Sequence, residues 1–160
     1  MKSTRVSNIL EDLFHINRSI TGPGVRETLN YIRTNVLPSS QIKSIASGTK
    51  VYDWKIPSEW SVSEAYVKNK NGERIIDIAD NNLHLVSYSE PVDMKISKDD
   101  LLEKIHTLPN HPSWIPYRTS YYSRNWGFCC AQNLIDSDKF VGPFEVKIKS
   151  KFNNKGELNW

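Results

Sequence analysis

Residues 51–67 read VYDWKIPSEWSVSEAYV, and across this stretch the apolar spacing turns from a helical period to period two. Tyr52, Trp54 and Ile56 fall on one side of an extended chain, with Val51, Asp53 and Lys55 on the other, the alternation of a half-buried strand. Residues 61–69, SVSEAYVKN, continue as a second strand. Asn71-Gly72 then supplies the strongest short hairpin signal, because a tight hairpin turn needs backbone with positive φ. RIIDIA (74–79) and NLHLVSYS (82–89) add two more strand candidates, so residues 50–88 read as a compact β unit of about four strands.

Upstream the period is helical. Val6, Ile9, Leu10, Leu13 and Phe14 recur at i, i+3, i+4, i+7 and i+8, one stripe of an amphipathic helix that Ser3 or Thr4 can cap. RSITGPG (18–24) breaks it. Thr21 and Pro23 suit the cap and first turn of a second helix, which carries Val25, Leu29, Ile32 and Val36 and ends before Pro38.

Downstream, Ser97 and Asp100 start a helix over residues 97–106 in capping-box fashion, burying Leu101, Leu102 and Ile105. Pro109, Pro112 and Pro116 make LPNHPSWIPY an extended connector. FEVKIKSKF (144–152) alternates with Phe144, Val146, Ile148 and Phe152 inward. NNKG turns the chain, and ELNW begins a returning strand at Trp160, the pattern expected of a truncated sequence.

The bulk numbers restrict the class. A chain of 160 residues fits one domain or one domain with an accessory piece. Its mean hydropathy of −0.53 is that of a soluble globular protein. No run approaches the ~20 apolar residues needed to cross a bilayer, and the N-terminus lacks a signal-peptide core, which predicts a cytoplasmic protein. The net charge of +3 is scattered rather than striped, so nucleic-acid binding is not indicated.

TSYYSRNWGFCC (119–130) is the stretch in which chemistry is first sought. Cys129 and Cys130 are adjacent, which excludes ordinary bridge geometry and the C-x-x-C spacing of zinc and redox sites; two reduced, buried thiols are expected. His15, His84, His106 and His111 form no metal-ligand spacing, no G-x-S-x-G elbow is present, and TGPG lacks the rest of a phosphate loop. Neither a catalytic nor a metal-binding residue is assigned. The aromatic residues are more informative. Trp54, Trp60, Tyr66, Trp114, Tyr117, Tyr121, Tyr122 and Trp126 cluster in the β unit and the connector, and core packing is the default for most of them, while Arg118 beside Tyr121 and Tyr122 makes these three the candidate ligand-facing residues.

Taken in order, LFHINRSITGPGVRETL, DWKIPSEW (53–60), NNLHLVSYSEPV, IPYRTSYYSRNWGFC (115–129) and FEVKIKSKFNNKGEL make the chain resemble a known family. It is similar to the N-terminal part of bacterial zinc-aminopeptidase-like proteins found with surface-polysaccharide biosynthesis. The resemblance implies an α+β fragment: an opening helix pair and the start of an incomplete α/β peptidase-like core, interrupted by a small, mostly antiparallel β domain. Residues 1–43 would be the core helices, 44–115 the inserted domain and 116–160 the return to the core. Complete relatives would carry zinc on a later His/Asp motif, followed by a winged helix, and no position here matches that motif.

These expectations lead to two functions. One is a partial aminopeptidase-like protein without activity of its own, its incomplete core prone to self-association because residues 144–152 would form an open edge. The other is a stand-alone module that binds a sugar or a peptide.

Overall fold

A computed structural model describes residues 5–160 and shows an α+β chain. In chain order the elements are α1 (Arg5–Phe14), α2 (Pro23–Asn35), β1 (Ser44–Ala46), β2 (Lys50–Val51), β3 (Trp54–Lys55), β4 (Glu59–Lys68) and β5 (Arg74–Asp77). Then come a 3-10 turn (Asn82–His84), β6 (Val92–Ile96), α3 (Lys98–Leu102), β7 (Ile105–His106), β8 (Phe128–Cys129), α4 (Gln132–Ile135), β9 (Phe144–Asn153) and β10 (Glu157–Asn159). The capping role expected of Ser3 or Thr4 lies outside the described residues. The chain forms two compact units, one of residues up to Ser61 with Phe152–Trp160, the other Val62–Lys151.

In the first unit α2 starts at Pro23, as its fixed φ favours. Thr21 is not its cap. Its hydroxyl accepts the Trp60 N–H at 3.1 Å and is buried, while Gly22 takes the capping position without a side-chain bond. Gly22 has φ +103, and a Cβ there would stand 2.3 Å from the Trp60 carbonyl oxygen, so only glycine fits. The VYDWKI alternation proves to be a hairpin and not one strand. Val51 pairs with Trp54 across β2 and β3, and Tyr52, at φ +55 and 93% exposed, occupies the turn with Asp53. The last strand is also differently partnered. β10 does not return along β9; it pairs antiparallel with β1, Ser44 opposite Asn159 and Ala46 opposite Glu157.

The second unit is organised by a four-stranded sheet of order β5-β4-β9-β6. Asn71 and Gly72 turn β4 into antiparallel β5, Gly72 at φ +82. β9 alternates as its sequence predicts: Phe144, Val146, Ile148 and Ser150 are buried, and the intervening positions are not. Phe152, expected inward, is only half-buried. The open edge expected at residues 144–152 does not exist, because β9 has a strand on each side. Its neighbour β6, which pairs Val92 with Ile148 and Ile96 with Phe144, follows Pro91 and escaped notice in the sequence.

Two further expectations are corrected. NLHLVSYS is not a strand: Asn81 Oδ1 accepts the Leu83 N–H and starts a 3-10 turn, after which Leu85 and Ser87 make only isolated bridges to Phe128 and Thr119. The helix expected over 97–106 stops at Leu102, because Ile105 and His106 pair in parallel with Phe128 and Cys129. Ser97 caps it as expected, accepting the Asp100 N–H. Leu101 is fully buried, but Leu102 is 39% exposed. Strands as short as β7 and β8 persist because Phe128 and Cys129 of β8 are fully buried and Leu85, which bridges to Phe128, is buried with them, a large apolar side chain contributing about 1.5–3 kcal/mol.

Candidate functional site

The candidate residues lie on the connector between β7 and β8, which contains no helix and no strand longer than a single bridge. Its course is set by Ser87. The Ser87 N–H donates to the Arg118 carbonyl at 3.0 Å, and the Ser120 N–H donates to the Ser87 carbonyl at 2.9 Å. This double tie holds residues 118–120 extended and leaves the Arg118 side chain exposed. Arg118 still acts electrostatically on what lies beneath: burial chiefly, and then its positive charge, lower the pKa of His106.

Tyr121 is half-buried and stands edge-on to Tyr88, ring centroids 5.0 Å apart at 85°. Tyr88 is itself buried and at φ +67, a conformation that non-glycine residues seldom adopt and that surrounding structure must enforce. The Tyr121 hydroxyl lies 2.7 Å from that of Tyr117. Although the Tyr117 ring is 59% exposed, burial around its hydroxyl and the bond to Tyr121 push its pKa up to about 12, with Ser87 acting the other way. Tyr122 is 86% exposed, and Trp114, 59% exposed, stacks on His111 at 4.4 Å.

Sequence reasoning placed Tyr117 in the aromatic cluster of the connector without pairing it to Tyr121, and missed Tyr88 as a member of this arrangement. The four-residue spacing of Tyr117 and Tyr121 was a usable signal; nothing in the one-dimensional pattern marks the conformation of Tyr88.

The cysteines are inert packing. Both are fully buried and free, and burial pushes Cys129 up to about 11 and Cys130 to about 12. Gly127 permits a close backbone approach: a Cβ there would meet the Lys104 carbonyl oxygen at 2.8 Å. His84 Nδ1 lies 2.8 Å from the Cys129 carbonyl, a bond that fixes the ring beside β8.

Zinc, implied by the resemblance, does not fit these residues. Among those described, no three histidine, cysteine, aspartate or glutamate side chains come together as a metal-binding group. A groove of about 620 Å³ with a mixed lining lies along β6 and β9, its walls including Ser63, Val92, Asp93, Lys147, Ile148 and Lys149. Two of its three lysines are already matched, Lys147 to Asp93 at 2.9 Å and Lys149 to Glu64 at 2.6 Å, and Lys151 is exposed. No helix among the described residues is long and apolar enough to cross a membrane.

Residues 59–151 match the family model described as "Domain of unknown function (DUF2172)". That segment ends with the second compact unit and begins close to its first residue, Val62. Over 155 residues, 97% of its length, the chain is 48% identical to a Clostridium acetobutylicum protein named for polysaccharide biosynthesis with an aminopeptidase-like domain. A crystal structure from the same organism, named for a peptidase, matches with a TM-score of 0.87 and 45% identity over 95% of the chain. The chain spans 35% of the length of each of these relatives.

Proposed function

This chain belongs to the family described as Domain of unknown function (DUF2172), and from that premise we propose that it forms a non-catalytic part of an aminopeptidase-like protein of polysaccharide biosynthesis. The observation that carries this is the 48% identity over nearly the whole chain to the relative so named. Zinc and the reacting groups would then belong to those two-thirds of the longer relatives that this chain does not match. There a bound zinc would supply a polarised water for hydrolysis. The inserted domain, placed at residues 44–115 by the resemblance, would on this reading begin and end later, at about Val62–Lys151, a span the compact unit and the family match at 59–151 both support. A cytoplasmic location belongs to the same reading, and the two free cysteines support it. So does self-association, which the exposed Val6, Leu10 and Phe14 support.

The test is a paired assay of the purified chain with zinc and with leucine p-nitroanilide. Neither stoichiometric tight zinc binding nor turnover is expected. Both together would overturn the proposal.

A second reading is a module that holds a sugar or peptide by itself. It is favoured by the large exposure of Trp114, Tyr117 and Tyr122 on one connector, with Arg118 among them. A monodisperse chain that melts cooperatively and binds an oligosaccharide would support it.

A further inference from the structure

Residues 104–135 contain no aspartate or glutamate, yet they hold Lys104, Arg118, Arg124 and six of the aromatic side chains. At the chain's own frequency of 18 acidic residues in 160, a window of this length would hold three or four. The sheet of the same unit is built differently, three of its five lysines being matched by carboxylates: Lys68 to Glu145 at 2.9 Å, Lys147 to Asp93 at 2.9 Å and Lys149 to Glu64 at 2.6 Å. Carboxylate has thus been kept out of one surface segment that is both cationic and aromatic. From outside it, Glu90 makes a backbone N–H bond to the Asn125 carbonyl, and the Asp136 carboxylate accepts from Gln132 Nε2 at 2.9 Å, at the far end from Arg118 in the sequence.

We propose that this connector is a binding face for a saccharide residue that bears a carboxylate, with Arg118 gripping the carboxylate and Tyr122 stacking on the sugar ring. A guanidinium offers two parallel N–H donors that match a carboxylate, and such charge-assisted pairs are the strong ones. The face of an aromatic ring is electron-rich and attracts the electropositive C–H groups along one side of a pyranose. Tyr121 does not need to touch the ligand. Held edge-on by Tyr88 and tied to the Tyr117 hydroxyl, it is a positioning residue for the loop that presents Arg118 and Tyr122. Single-stranded nucleic acid also seeks aromatic and cationic side chains, but it needs a basic track along several phosphates. Three cations spread over 32 residues offer one grip and not a track.

The inference rests on the ligand-holding reading, and the experiment keeps the two apart. Tryptophan emission of the intact chain is followed during titration with trigalacturonic acid, with neutral trigalactose and with a thymidine oligonucleotide. Trigalacturonic acid is expected to bind at least about tenfold more tightly than trigalactose. Arg118→Gln should remove at least about tenfold of that affinity, Arg118→Lys less because it keeps the charge without the fork, and Tyr122→Ala roughly threefold to tenfold. Arg118 and Tyr122 are exposed, so unchanged far-UV circular dichroism and an unchanged melting temperature should accompany each loss. Equal binding of the two sugars would overturn the acid-recognition proposal and leave the ligand-holding reading standing. Tighter binding of the oligonucleotide, or parental affinity in Arg118→Gln, would also overturn it. Absence of binding by all three would overturn both.

Discussion

Arg26 and Glu59 form a two-pronged ion pair, Nη1 to Oε2 and Nη2 to Oε1, each at 2.8 Å. The same carboxylate accepts the Glu157 N–H at 3.2 Å, so one side chain joins α2, β4 and β10. The bond from Arg26 holds the Glu59 carboxyl below the usual carboxylate range, although burial works against it. A carboxyl depressed in this way contributes its full stability above its unfolded pKa of about 4.3 and loses it as pH falls further. Glu59→Gln is expected to cost about 1–3 kcal/mol at neutral pH. It should also flatten the loss of stability below about pH 4.5, as read by urea melts across pH.

Leu101 and Leu102 are neighbours with opposite environments, fully buried against 39% exposed. Leu101→Ala should destabilise the chain by about 2–5 kcal/mol through lost burial and the cavity left behind. Leu102→Ala should stay within about 1 kcal/mol. Thermal melts of the two variants check this; equal losses would mean that the helix continues past Leu102.

Cys129 and Cys130 should be silent to thiol reagents in the folded chain. With pKa values of about 11 and about 12, each is present as thiolate at pH 8 at on the order of one part in a thousand or less. Both side chains are also closed to solvent. Reaction with a disulfide reagent should be negligible natively and release two equivalents in urea. A fast native equivalent would contradict the packing.

Gly127 leaves no room for a side chain. Gly127→Ala places a Cβ 2.8 Å from the Lys104 carbonyl oxygen and 3.2 Å from Val86 Cγ2. The parallel β7–β8 pairing must then open, at a cost of about 1–3 kcal/mol. Amide exchange at Phe128 and Cys130, whose N–H groups donate to the Lys104 and His106 carbonyls, should rise with it.

Much of the local structure was legible. The start of α2 at Pro23, the Ser97 cap, the Asn71-Gly72 turn and the alternation of β9 each depend on a few adjacent residues whose conformational preferences agree. The failures share one cause. VYDWKI alternates perfectly, but nothing within six residues says that Tyr52 will take positive φ and fold the strand back on itself. Leu102 and Ile105 continue a helical stripe, yet Ile105 finds Phe128 across a parallel pair, and that contact outweighs the helical preference of a short segment. In the candidate site, Arg118, Tyr121 and Tyr122 stood out by residue type alone. The Tyr88–Tyr121–Tyr117 arrangement could not, because it depends on the tie between Ser87 and residues 118–120, about thirty positions apart.

The sequence by itself determined the helical period of α1 and α2, the alternation of β9, the Asn71-Gly72 turn and the family, because propensity, capping and motif order are written in neighbouring residues. Tertiary structure alone decided the partners. Trp160 closes on Lys43, and β10 joins β1 across more than a hundred residues. β9 lies inside a sheet and not at its edge. A strand specifies which of its faces is apolar but not which backbone will satisfy its N–H and C=O groups, and that choice is made only when the whole unit packs.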